Sequence, residues 1–210
     1  MGKLPYGING PIQGKIGTVH GATWKGIPYV KGPYKKRTKK ISKAEAANRN
    51  KFADAQAWLK PLTVFVRQGF KGFTDTVEGF IAAKSYLLLN AFEGVQPDIR
   101  INPALVQVSY GDLPLSNDIA VEKTPEGQLL FTWDTAFVAG ASPYDQVMLL
   151  AYDIEKGKAY QNITGQFRSA GADTLRLPPV AGRTYHLYFA FTAADRSRQS
   201  PSVYLGEMSV

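Results

Sequence analysis

Residues 184–193 read TYHLYFAFTA, and residues 128–134 read QLLFTWD. Alternation assigns their faces: Tyr185, Leu187, Phe189 and Phe191 point one way on the first run, and Leu129, Phe131 and Trp133 point one way on the second. Each run has one apolar face to bury, so the two sets are expected to form opposed halves of a single core. Working outward, short β-rich runs recur at ALVQVSY (104–110), DIAVEKT (118–124), QVMLLAYD (146–153), KAYQNIT (158–164), TLRLP (174–178) and SVYLGEMSV (202–210). Glu126-Gly127 and Lys156-Gly157 supply turn residues between them. This spacing predicts an antiparallel β-sandwich over residues 104–210.

The same stretch resembles a fibronectin type III or Ig-like module. A tryptophan ends an early strand in LLFTW (129–133), Leu175 and Leu177 lead through PPVAGRT (178–184) to Tyr185, and SRQSPSVYL (197–205) closes the last strand. The resemblance implies a tyrosine corner at Tyr185, its hydroxyl folded back onto the preceding loop. The whole chain in turn resembles a family of uncharacterised Bacteroidota proteins of about this length, a domain of unknown function. That likeness runs through GKIG (14–17), WKG (24–26), LKPL (59–62), GFK (69–71) and SYLLLNAFEG (85–94). It implies no known activity.

Upstream, residues 42–96 carry helical signals. Ser42-Lys43-Ala44-Glu45 reads as a capping box that starts a helix running to about Leu59, with Ala44, Ala47, Phe52, Ala55, Leu59 and Leu62 on its apolar face. Pro61 suits the first turn of a short following helix that ends at Gly69. A third helix is expected from about Thr74, with Val77, Phe80, Ile81, Lys84, Leu88 and Phe92 as a mostly apolar stripe and Gly94 and Pro97 as its stop. The fold class is therefore α+β, with this small helical segment ahead of the sandwich.

Residues 1–41 differ from both. Eight glycines and four prolines argue against helix, and the β-prone pieces KIGTV, ATWK and IPYVK lie between them. An extended arm or loose hairpin is expected, too poor in apolar residues to bury a core and so dependent on another surface. Its anchors for a neighbouring subunit are Lys15, Trp24, Lys25, Ile27, Tyr29 and Val30. The first forty-three residues also hold ten Lys and Arg and no acid. Taking those ten from the chain's 25 leaves 15 against 17 Asp and Glu, so all the net positive charge belongs to the arm. Its densest part is Lys35, Lys36, Arg37, Lys39 and Lys40, a basic patch that suits phosphate backbones, or an acidic surface of its own or a neighbouring subunit.

Chemistry is thinly signalled. Without cysteine there is no disulfide framework, thiolate metal site or cysteine nucleophile, and His20 and His186 are too few for a histidine cluster. His186 alternates with Tyr185 and Leu187 and is expected on the solvated face. Gly10-Pro-Ile-Gln-Gly14-Lys15 misses the phosphate loop by one residue between its glycines and by the absent Ser or Thr after the lysine. No catalytic, cofactor-binding or metal site is assigned, no small-molecule substrate is identified, and the protein is read as not an enzyme. No apolar run spans a bilayer, and MGKLPYGINGPIQGK lacks the apolar region of a secretory signal, so synthesis in the cytoplasm is expected, with a final place within a virion or an extracellular assembly.

The first functional expectation is a structural protein that self-assembles as a homo-oligomer into a particle, tube or filament of phage type, the arm contacting neighbouring subunits. The alternative is a nucleic-acid-binding protein that uses the basic arm. A third is a surface or carbohydrate-binding module with exposed Tyr188, Tyr152 and Tyr204 as stacking platforms.

Overall fold

The structure is a computed structural model that describes residues 2–7, 10–33, 35–36, 38–74, 77–94, 98–180 and 182–210. The chain divides into two compact units, residues 1–43 and 44–210.

The first unit is a three-stranded antiparallel sheet of β1 (Gly14–Ile16), β2 (Val19–Trp24) and β3 (Ile27–Lys31), in the order β1-β2-β3. The hairpin expected of ATWK and IPYVK is there, with GKI (14–16) added as a third strand and Lys3 bridging to Gln13. Lys25 and Gly26, between Trp24 and its partner Ile27, both have positive φ, 48° and 81°, the geometry that lets a two-residue turn follow the twist of its strands. Gly21 is required for a different reason. A Cβ there would overlap the backbone carbonyl of Ile12, which crosses directly over the sheet. Among the described residues of this unit Gly21 alone is buried, so the sheet has no hydrophobic core of its own.

The second unit is mixed α+β and mostly antiparallel β. It opens with α1 (Lys43–Leu59), α2 (Thr63–Gly69) and α3 (Gly79–Asn90), followed by the two-residue strands β4 (Phe92–Glu93) and β5 (Arg100–Ile101). Then come β6 (Ala120–Lys123), β7 (Leu129–Thr132), β8 (Gln146–Asp153), β9 (Lys158–Asn162), β10 (Ala172–Leu175), β11 (Thr184–Thr192) and β12 (Val203–Ser209). They form a three-stranded sheet, order β10-β7-β6, and a four-stranded sheet, order β12-β11-β8-β9.

Alternation on the two long central strands organises the whole unit. Val147, Leu149 and Ala151 of β8 join Tyr185, Leu187, Phe189 and Phe191 of β11 in one apolar cluster with Leu129, Phe131, Trp133 and Leu175 from the three-stranded side. The intervening residues Met148, Leu150, Tyr152, Tyr188 and Ala190 lie in a second cluster with Leu59, Leu62, Phe65, Phe70 and Leu87 of the helical layer. Both faces of the four-stranded sheet are therefore covered. That explains the near-continuous apolar runs of β8 and β11, which a sheet with one wet face would not need. Tyr152 and Tyr188 reach into the helical side and satisfy their hydroxyls there, donating to the Trp58 carbonyl at 3.1 Å and the Pro103 carbonyl at 2.7 Å.

Three local expectations shift. Residues 104–110 are not a strand: a 3-10 turn at Pro103–Leu105 gives way to irregular chain. There the Tyr110 N–H goes to the Gly69 carbonyl and the Val108 N–H to the Ser202 hydroxyl, so separate partners replace a ladder. On α1 the buried residues are Ala55, Trp58 and Leu59, while Phe52 is exposed. The third helix starts at Gly79, not Thr74. A Cβ at Gly79 would lie 2.8 Å from the Arg67 carbonyl, so this end packs against α2, and the buried row becomes Ala82, Ala83 and Leu87 with Ile81 turned out.

Candidate functional site

The register of the first unit gathers the expected anchors. Trp24 lies opposite Ile27, Ala22 opposite Tyr29, and His20 opposite both Lys31 and Lys15. Residues two apart share a face, so Trp24, Ile27, Tyr29, His20, Lys31 and Lys15 line one side of the sheet, with Val30 on the other. Trp24, Ile27 and Tyr29 are 56%, 64% and 44% exposed, an unusually large uncovered apolar surface for so small a sheet. The Lys25 ammonium lies over the Trp24 ring, 5.2 Å from its centroid. Of the basic patch, Lys35, Lys36, Lys39 and Lys40 are exposed, and Arg37 lies outside the described residues, as does Tyr34.

In the second unit the tyrosines expected as stacking platforms are not on the surface. Tyr188 is fully buried and Tyr152 nearly so, because the helical layer covers the face that alternation had assigned to solvent. Tyr204 is half-buried and stacks on His186, whose Nδ1 lies 2.9 Å from the Tyr204 hydroxyl. His186 is correspondingly not a solvated imidazole: burial lowers its pKa, and Glu207, 3.7 Å away, opposes the shift. Tyr185 sits at the start of β11, fully buried and edge-on to Tyr160 at 5.9 Å. Its hydroxyl has no hydrogen bond of ordinary geometry among the described residues; burial raises its pKa and Arg183 opposes the rise.

Two groupings escaped the sequence because both join distant segments. In the first, Arg168 and Asp145, 4% and 2% exposed, pair at 3.3 Å. The guanidinium also donates to the Ser116 hydroxyl and the Pro114 carbonyl and lies over the Phe191 ring. Burial lowers the Arg168 pKa, with Asp145 opposing the shift.

The second grouping is a cleft of about 420 Å³ lined by Lys71, Phe73, Tyr110, Asp112, Arg198 and Gln199, among others. Phe73 and Tyr110, 40% and 42% exposed, meet edge to face at 5.4 Å, with Phe70 and Tyr86 behind Tyr110. Glycines bring the chain close on both sides of Tyr110: a Cβ at Gly69 would overlap the Val108 carbonyl, and one at Gly111 the Gln199 carbonyl. Arg198 and Asp112 pair across the rim at 3.0 Å. Asp195 is held below the ordinary carboxylate range by hydrogen bonds from Ser197 and, more weakly, by Lys71. Gln199 is 2% exposed, and its side-chain nitrogen has no hydrogen-bond partner among the described residues. The aromatic pair in GFKGF and VSYGD was the one available signal, and only the fold brings the two segments together.

Among the described residues no group of three or more His, Asp or Glu side chains could hold a metal ion, and no helix is long and apolar enough to cross a membrane. Fold and surface together define a mixed α+β protein, mostly antiparallel β, with a separate coreless sheet at its N-terminal end. The chain belongs to the family of unknown function DUF6266, which matches residues 11–206 and so reaches across both units. No curated protein and no solved structure matches it.

Proposed function

We propose that the protein is a non-enzymatic structural protein that assembles with copies of itself, the N-terminal unit supplying the contact. The observation that carries this reading is the coreless sheet with Trp24, Ile27 and Tyr29 exposed together on one face. A three-stranded sheet needs an apolar layer against it for stability, and a second copy supplies one. β3 also stands at the sheet's edge, open to pairing with a further strand. The excess of ten basic residues in the first forty-three, against a slightly acidic remainder, draws this unit towards the body of another copy. A contact between two different surfaces is heterologous, closing into a particle or running on into a tube or filament. A phage-type assembly fits this reading, with the protein's final place in a virion or an extracellular assembly.

Within such a subunit the second unit serves as a fibronectin type III or Ig-like β-sandwich. What supports this is the division of seven strands into three and four, with Trp133 and Tyr185 in the cluster between the sheets.

A nucleic-acid reading has its own support, since Trp24 and Tyr29 share their face with Lys15, Lys31 and His20, and aromatic rings among cations suit single-stranded nucleic acid. Light scattering on the full chain and on a Trp24→Ser, Ile27→Thr, Tyr29→Thr variant separates the two. Assembly predicts a mass of two or more chains for the parent and of one chain for the variant. If the variant keeps the parent's mass but loses salt-sensitive binding to a single-stranded oligonucleotide, the nucleic-acid reading replaces it.

A further inference from the structure

We infer that the cleft between Phe73 and Tyr110 is a binding site for a neutral oligosaccharide. The inference is independent of the assembly reading, since the cleft lies wholly within the second unit.

Three observations select the ligand. Two exposed aromatic rings stand edge to face and offer flat apolar surface, which the C–H face of a pyranose ring covers well. Tyr110 is held in place, its N–H on the Gly69 carbonyl and the chain on either side of it packed at glycine contact distance, so the platform is formed before a ligand arrives. Lys71 and Arg198 are balanced by Asp112 and Asp195, a charge pattern that gives a polyanion no net attraction but presents donors and acceptors to hydroxyl groups.

Gly111 and Gln199, whose backbones meet at glycine contact distance, close the floor of the cleft. These residues differ from the tyrosines first expected as stacking platforms: the helical layer buried Tyr152 and Tyr188, and the exposed rings lie in the turn that follows α2 and in the segment after Val108.

Isothermal titration of the full chain with maltohexaose, cellohexaose, mannohexaose and chitohexaose tests the site. At least one probe is expected to bind saturably with Kd below about 1 mM. Tyr110→Ala and Phe73→Ala are each expected to weaken that binding by about tenfold or more, as loss of an aromatic anchor does, while Phe137→Ala, an exposed ring outside the cleft, leaves it unchanged. Should Tyr110→Ala fail to fold, Phe73→Ala decides alone. The inference is overturned if none of the four probes binds at up to about 10 mM, if binding survives both substitutions, or if the cleft variants lose binding to a single-stranded oligonucleotide and to no sugar.

Discussion

Arg168→Met is expected to destabilise the second unit by about 3–5 kcal/mol, read as a lowered urea midpoint at unchanged slope. The guanidinium is almost wholly enclosed, with Asp145 at 3.3 Å, the Ser116 hydroxyl at 2.9 Å and the Pro114 carbonyl at 2.6 Å. Methionine fills much of the same volume over Phe191 but leaves the Asp145 carboxylate buried with the Ser142 N–H as its remaining partner. An uncompensated buried charge, not lost packing, dominates the cost. Asp145→Asn added to Arg168→Met should therefore recover a large part of the loss, because the amide can still accept from Ser142 without carrying charge. If Arg168→Met changes stability by less than about 0.5 kcal/mol, the pair is not buried as described.

Leu150→Ala and Leu149→Ala are expected to cost about the same, roughly 2–5 kcal/mol each. The two neighbours point to opposite faces of β8, and both are fully buried: Leu149 lies among the side chains shared with the three-stranded sheet, and Leu150 among those shared with the helices. A sheet open to water on its second face would tolerate Leu150→Ala with little change. The two substitutions also differ in their local effect. Leu150→Ala should accelerate amide exchange in α1, α2 and α3 before the sheets respond, whereas Leu149→Ala should loosen β7 and β10. Equal exchange effects on helices and sheets from both variants would contradict the separation into two clusters.

What could be read from the chain alone follows the range of the interactions involved. The start of α1 one residue after Ser42, the end of α2 at Gly69 and the positive φ of Gly127 and Gly157 depend on local geometry. So does the shared core of Leu129, Phe131 and Trp133 with the odd-numbered residues of β11, since period-two alternation is local. The other face of β8 and β11 was misread because alternation distinguishes two faces but not whether the second is wet. Met148, Leu150 and Ala190 carried the answer in their apolarity, and Tyr152 and Tyr188 obscured it because a tyrosine suits either setting. The Asp145–Arg168 pair had no local signature, and the Phe73–Tyr110 cleft had only the aromatic residues of two separate segments. Their partners lie tens of residues apart and meet only where irregular chain threads between elements.

The N-terminal sheet is where local reading and function meet. Its glycines and prolines forecast a segment without a core, and the register places Trp24, Ile27 and Tyr29 together, with Gly21 alone buried among the described residues of that unit. Hydrogen exchange of the Ile27–Lys31 amides, measured on the full chain across a wide range of protein concentration, tests assembly through this unit directly. The account predicts fast exchange in dilute solution and protection that grows with concentration as β3 meets another copy. Exchange that stays fast at every concentration, or that is equally slow at all of them, would contradict it.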